Sequence, residues 1–510
     1  MTWDAIVIGA GHNGLVAAAY LAKAGMKTLV VESRDVVGGA AVTEELLPGF
    51  WVSTASYSLS LLRPDVYSEL DLAGHGLSFY PKDPQMFVPL PDGRSFFIWR
   101  DERRTLDEIR RIHPADAHGY LAFGRFWEKA VSVLRPFAES LDPPKLDELH
   151  DELLGRGLDD VWRLAVEGSA AEAVEEFFES EELQGAFVGQ GIIGTALGPR
   201  QPGTAWVMAY HFLGGELNGS TGTWAYVRGG MGGVSGALAA AARNSGAEIR
   251  LNSPVEQVIL GPQGAEGVIL SSGEELRSRF VLSNADPITT FSRLVDPGAI
   301  DDPRFRAKVD GWKSPGSVVK VNLALDRLPN FRSRPGDGGP QHRGTIEVSP
   351  SIDYVEAAWQ ASLAGSYPKR PFMEVFIQSA TDDSLAPPGK HVLSAFSQWA
   401  PSSVSSNDSL RADALAAVLE TLDELAPGCS SSVLAAQTLV PADIEARFGM
   451  TGGNIFHGEI TPEQSFGERF GYRTPVKGLY LCGSGASPGG GVMGAAGRNC
   501  AKRLLEDRAL

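Results

Sequence analysis

Three glycines and one carboxylate near the start of the sequence have the types and spacing for nucleotide chemistry. In DAIVIGAGHNGLVAAAYLAKAGMKTLVVES, Gly9, Gly11 and Gly14 form G-x-G-x-x-G between an apolar run, Ala5 to Ile8, and a stretch with apolar residues at Leu15, Ala18, Ala19 and Ala22. Gly9 permits a tight turn, Gly11 lets the backbone approach a pyrophosphate held at a helix N-terminus, and Gly14 lets helix and strand pack closely. Ala10, His12 and Asn13 complete the turn, with His12 a neighbour of the bound nucleotide and not a base. Glu32 stands 18 residues beyond Gly14, closing a strand predicted over Thr28 to Val31 and followed by Ser33. There a carboxylate accepts hydrogen bonds from both ribose hydroxyls, and a 2'-phosphate would meet like charge, which disfavours NADP.

Further glycine clusters need sorting. Gly38-Gly39, six residues past Glu32, brings a second loop against the pyrophosphate side, with Ala40 after it. Gly230-Met231-Gly232-Gly233 lacks the third glycine, because Ser235 stands there, and its nearby acid, Glu248, begins a strand instead of ending one. Gly489 to Gly494 fits G-x-G-x-x-G by letter, but no second strand and no ribose-binding acid follow it. One nucleotide site is predicted, with the helix and strand after Gly233 returning to lie beside the first sheet.

The elements around these residues set the class. A chain of 510 residues is long enough for two to three domain-sized units. With 45 basic against 62 acidic residues, a net charge of -17, most of the surface repels phosphate backbones, so nucleic acid is not an expected partner. Three cysteines without C-x-x-C spacing support neither a disulfide scaffold nor a dithiol centre nor a zinc site, and no metal is expected. No apolar run reaches the roughly 18 to 20 residues that span a bilayer, so the expected location is cytoplasmic, with peripheral membrane contact left open. From about 100 to 190 the sequence reads as helices, and VVKVNLALD, FMEVFIQSA and HVLSAFSQW read as strands of a second sheet. FVLSNAD, Phe280 to Asp286, and GLYLC, Gly478 to Cys482, read as strands that rejoin the first.

Taken together, GGAAVTEELLPGFWVSTASYSLSLLRPDV, TWAYVRGGMGGVSGAL, GGNIFHG and GLYLCGSGASPGGGVMGAAGRN resemble the phytoene desaturase-like flavoproteins, part of the amine oxidase superfamily. Within them the sequence is most similar to the pyridine nucleotide-disulphide oxidoreductase domain-containing protein 2 group. The resemblance covers residues 4 to about 503 and implies FAD as cofactor. It also implies a fold: a Rossmann-like α/β FAD-binding domain, discontinuous over 1–85, 225–300 and 450–510, with an inserted α+β substrate domain over 86–224 and 301–449. On that pattern Val255 presents its backbone to the adenine. Gly483 and Ser484 approach the ribityl and pyrophosphate region, and a helix opening near Val492, Met493 and Gly494 points at the flavin ring. Two departures stand out: Ala40 where many relatives carry Arg, and Ser53 where many carry Asp in G-F-x-x-D.

The family chemistry implied is hydride transfer between flavin N5 and a carbon-carbon bond of a hydrophobic, isoprenoid or polyene substrate, by desaturation, saturation or isomerisation. Such a reaction needs a dry tunnel. Trp206, Tyr210, Phe212, Trp224 and Tyr226 are candidates for its wall or for plain core. His211 and His457 are candidate proton acceptors or substrate-orienting groups, and Arg228 a candidate partner for reduced flavin. Two alternatives remain. A flavin amine oxidase would use a lysine, for which Lys320 is best placed, and a non-enzymatic binder of prenylated partners, of the GDP-dissociation inhibitor type, would use no flavin. Oligomeric state is not legible.

Overall fold

The computed structural model describes residues 2–214, 224–403 and 406–509. Thr2–Ile8 lies in the middle of a sheet, parallel to Thr28–Val31 on one side and to Glu275–Ser283 on the other. A central strand covered on both faces has no solvent side, which is why Ala5, Ile6 and Val7 run as an unbroken apolar stretch. Glu248–Arg250 extends the sheet in parallel beyond Thr28–Val31. On the far side, Val255–Gly261 and Gly264–Leu270 form an antiparallel ribbon that pairs with the first half of Glu275–Ser283, while Leu479–Leu481 pairs in parallel with its second half. Three separate stretches of chain therefore build one sheet.

Helix His12–Lys23 packs against two helices distant in sequence, Gly232–Asn244 and Ala495–Ala509. Small residues make the approach close. A Cβ on Gly497 would stand 2.1 Å from the Asn13 carbonyl oxygen.

A second sheet runs in the order Val433–Leu439, Val318–Leu325, His391–Gln398, Phe372–Phe376, Thr345–Val348, Met86–Pro89, Ser95–Ile98. Its two faces part by alternation. Val319, Val321, Val375 and Ala395 pack with Ala414, Val418 and Leu422 of helix Asn407–Leu425. Val318, Phe372, Phe376 and Phe396 face the helices between Glu102 and Phe212. This is the α+β part read from the sequence.

Two element boundaries have local causes. The strand expected over Phe280 to Asp286 stops at Ser283, because the Asp286 carboxylate caps the turn that follows by accepting from the Thr289 N–H at 2.9 Å. The last helix begins at Ala495, directly after the Val492, Met493 and Gly494 near which it was expected to open. Gly491, Val492 and Gly494 have φ of 98°, 58° and 75°, which a right-handed helix excludes.

Cysteine spacing hid one proximity: the buried thiol of Cys482 stands beside that of Cys500, and burial pushes Cys500 well above the ordinary thiol range. Among the described residues, no helix is long and apolar enough to cross a membrane.

Candidate functional site

The first turn of helix His12–Lys23 carries no side-chain cap and no acidic residue. Its N–H groups, at the positive end of the helix, are left for a ligand. The glycines in front of it are fixed by close packing: Gly9 has φ of 92°, a Cβ on Gly11 would lie 2.7 Å from Asn284 Nδ2, and one on Gly14 would lie 2.2 Å from the Gly9 carbonyl oxygen. The second glycine loop closes over this turn, with the Gly38 N–H donating to the Ala10 carbonyl at 2.8 Å.

Glu32 is held by three donors. The Ala10 N–H reaches Oε2 at 2.7 Å, while the Arg34 N–H and Ser33 hydroxyl reach Oε1 at 2.9 and 3.1 Å. Its carboxylate edges a cavity of about 440 Å³ that runs from the glycine turn to the face of the second sheet. At the Glu32 end the wall includes Gly9, Gly11, His12, Ser33, Gly38, Gly39, Ala40 and Val255. At the far end it includes His211, His457, Ser484 and Val492, together with Lys320, Tyr57, Phe396 and Phe456. Ala10, Asn13, Gly14, Gly483 and Met493 stand behind the wall. Asn13 ties the two ends of the chain, donating to the Ser484 hydroxyl at 3.2 Å.

Several sequence expectations need correction. Arg228 is exposed and outside the cavity wall, so it is not placed to meet a flavin there. Of the five aromatics that were candidates for tunnel wall or plain core, Trp224 lines the cavity and the other four do not. Trp206, Tyr210 and Tyr226 are core residues whose polar tips are spent on Ser465 Oγ, the Gly490 carbonyl and the Gly344 carbonyl, at 2.8, 2.8 and 3.0 Å. Phe212 packs on Trp127. Tyr57, Phe396 and Phe456, which periodicity did not single out, take their place.

The histidines differ in kind. His211 is buried, with Nδ1 2.8 and 3.0 Å from the carbonyls of Val207 and Gln190. Two acceptors there require Nδ1 to carry the hydrogen, which leaves Nε2 as the acceptor. Burial pushes His211 down to about 4, so it is a neutral hydrogen-bonding group and a weak base. Burial first, and the charge of His457 second, push His12 down to about 3, and burial lowers His457 as well.

Of the groups pushed to about 7, which include Lys82 and Glu459, Lys320 is the one that lines the cavity. It projects from Val318–Leu325, 1 % exposed, and burial pushes it down to about 7. Its Nζ, His12 Nε2, His457 Nδ1 and Ser60 Oγ are shielded polar atoms without a hydrogen-bond partner, and all four residues line the cavity. Orphaned polar atoms of this kind around one cavity fit a polar ligand that supplies partners.

Positive charge at the nucleotide end comes from places the motif did not indicate. Arg34 and Arg447 both line the cavity, and each pairs with Glu44, at 2.7 and 2.8 Å. Both bring cationic side chains to the wall that Ala40 also lines. Buried Arg469 donates to the carbonyls of Ser484, Phe456, Glu459 and Gln464, clamping the Ser484 loop to the segment that carries His457.

The profile of the flavin-containing amine oxidoreductases matches residues 14–505. The chain belongs to that family. It is 38 % identical over 549 residues to pyridine nucleotide-disulfide oxidoreductase domain-containing protein 2 of Mus musculus, covering 99 % of this chain and 94 % of the mouse protein. It is 26 % identical over 543 residues to the chloroplastic prolycopene isomerase of Arabidopsis thaliana, covering 100 % of this chain and 83 % of that protein. The fold matches cyclohexylamine oxidase from Brevibacterium oxydans with a TM-score of 0.62 and 18 % identity, over 100 % of both chains. This flavoprotein is thus an FAD-dependent oxidoreductase of the phytoene desaturase-like type, with the FAD-binding α/β fold and a substrate domain.

Proposed function

We propose that this flavoprotein acts on a carbon-carbon bond of a hydrophobic substrate of isoprenoid or polyene character, by desaturation, saturation or isomerisation. The observation that carries the reading is the composition of the far end of the cavity. Tyr57, Leu61, Ile193, Trp224, Phe396 and Phe456 wall it, with Lys320, His211 and His457 as its polar groups. A similarity to prolycopene isomerase supports the same substrate class.

In this reading the FAD-binding part is formed by 1–85, 225–300 and 450–510 and the substrate part by 86–224 and 301–449. Gly9, Gly11, Gly14 and the first turn of helix His12–Lys23 hold the pyrophosphate, Glu32 the ribose, and Val255 the adenine. When bound, FAD supplies the two-electron acceptor. The aromatic wall orients the substrate and excludes water, His211 Nε2 and His457 orient it, and Lys320 Nζ holds the proton that accompanies hydride transfer. A substrate of this kind partitions into lipid, so a cytoplasmic enzyme with peripheral membrane contact belongs to the same proposal and is checked by vesicle flotation.

A second reading, oxidation of an amine, is favoured by the unpartnered Nζ of Lys320 in the cavity wall and by the family's own name. The two are separated by anaerobic bleaching of the bound flavin with a panel of polyenes and a panel of amines. Bleaching by polyenes supports the first reading, and bleaching by amines alone overturns it. The non-enzymatic reading falls with membership of an oxidoreductase family.

A further inference from the structure

One row across the second sheet carries charge beneath the cavity floor. Lys320, Phe396, Glu374 and Glu347 are successive neighbours on strands Val318–Leu325, His391–Gln398, Phe372–Phe376 and Thr345–Val348. Residues in such register share one face, with directly opposed Cβ atoms about 5 Å apart. All three charged members are buried, with Glu347 and Glu374 at 0 and 2 % exposure. Lys82 reaches the same patch. Its Nζ lies 4.5 and 4.7 Å from the ring centres of Phe376 and Tyr226 and donates to Thr345 Oγ1 at 3.0 Å.

Tyr57 connects the patch to the cavity. Its ring lies 4.7 Å from Lys320 Nζ, and its hydroxyl donates to Glu374 Oε2 at 3.0 Å. Gln190 Nε2 donates to Glu374 Oε1, also at 3.0 Å. Neither oxygen of Glu347 has a hydrogen-bond partner. The ionisable groups facing the patch are thus Tyr57, Lys82, Tyr226, Lys320, Glu347 and Glu374.

Two carboxylates opposed on neighbouring strands in a dry interior cannot both stay ionised. Hydrogen bonds received by a carboxylate favour its charged form, and of the two Glu374 receives them. We propose that Glu347 carries a proton and Glu374 the negative charge, so that the pair is a single buried anion, set behind Tyr57, that fixes the charge on Lys320. Glu374 is then a positioning residue, acting on the cavity through Tyr57 and Lys320. Burial raises both carboxyls, Glu347 well above its ordinary range, and Glu374 is the charge that opposes the lowering of Lys320. Loss of that charge lowers Lys320 further. Gln at position 347 imitates a protonated acid and leaves Lys320 where it was.

The proposal rests on the reading of the cavity as the FAD site, and its test has two arms, one of which needs no flavin. In infrared spectra at about pH 8, the difference between wild type and Glu347→Gln contains a deuterium-sensitive protonated carboxyl band. In FAD-loaded protein, the visible spectrum shows a pH inflection that Lys320→Met abolishes. Glu374→Gln moves it down by at least about one unit, a tenfold loss of proton affinity, and Glu347→Gln leaves it in place. If Glu374→Gln does not fold, Tyr57→Phe replaces it and moves the inflection in the same direction. An absent carboxyl band, an inflection displaced in Glu347→Gln, or an inflection unmoved in Glu374→Gln overturns the proposal. A protein that takes up no FAD would defeat the reading of the cavity while the infrared arm still decides the carboxyl pair.

Discussion

Lys320 holds its amine 4.7 Å from the centre of the Tyr57 ring, in a cavity wall that offers Nζ no hydrogen-bond partner. The group is lowered from its ordinary 10.5 to about 7, and a displacement of that size corresponds to a few kcal/mol of disfavoured charge. The sign follows from proton counting. Between about 7 and 10.5 the unfolded chain binds more protons at this site than the folded one, so stability rises with pH across that window. Below it both states are protonated and the folded state bears the full cost. Lys320→Met is therefore expected to melt higher than wild type at neutral pH, with an advantage that shrinks towards pH 10. Equal melting temperatures across the range would contradict the burial of a free amine.

The same lysine sets a kinetic limb. Flavin bleaching by substrate is expected to speed up as pH rises through about 7, because neutral Nζ is the form that takes a proton. His211, pushed down to about 4, contributes no such limb above pH 5. In stopped-flow measurements, His211→Gln lowers the rate without moving the inflection, and Lys320→Met removes it. An inflection that disappears with His211 would reverse the assignment.

Glu32→Ala removes a carboxylate whose geometry is set by three donors. Charge-assisted hydrogen bonds are worth about 1.5 to 3 kcal/mol, so FAD affinity is expected to fall roughly tenfold to a hundredfold with the fold intact. Fluorescence titration of the apoprotein reads this directly. Unchanged affinity would remove Glu32 from the nucleotide site.

The glycine turn separates binding from folding. A Cβ on Gly11 meets the Asn284 amide, a side chain able to move, whereas one on Gly14 meets the Gly9 carbonyl, which is backbone. Gly11→Ala is expected to keep its melting temperature without cofactor and lose FAD affinity. Gly14→Ala is expected to lose stability outright, by about 1 to 3 kcal/mol. Identical behaviour of the two would count against this division.

How much of this was written in the residues varies by element. The strand, turn, helix and strand around Gly9 to Val31 declared themselves because each signal is local: an apolar run, a glycine triplet, an amphipathic stretch and a closing acid. The cavity wall at the substrate end did not. Tyr57, Phe396 and Phe456 come from three distant segments, and in strand His391–Gln398 a residue facing a cavity and one facing a core share the same hydrophobic alternation. Trp206 and Tyr210 left the choice between wall and core open for the same reason, since a dense aromatic cluster suits either. Lys320 was visible as a lysine in an apolar strand, but its lowering comes from burial among distant segments, opposed by Glu374, two strands across and more than fifty residues later in the chain. Arg34 and Arg447 reach the cavity wall from segments far apart in sequence, which no local motif announces.

The helix that carries the nucleotide turn is complete by Lys23, yet its Asn13 is hydrogen-bonded to the N–H of Gly497, a contact spanning 484 residues. The parallel strand Leu479–Leu481 joins the same sheet equally late. On a ribosome, then, the first thirty residues emerge with their fingerprint written and nothing to close it. Capture of FAD is expected to wait for the last helix, and a chain cut before Ala495 is expected to be colourless however well its middle had folded.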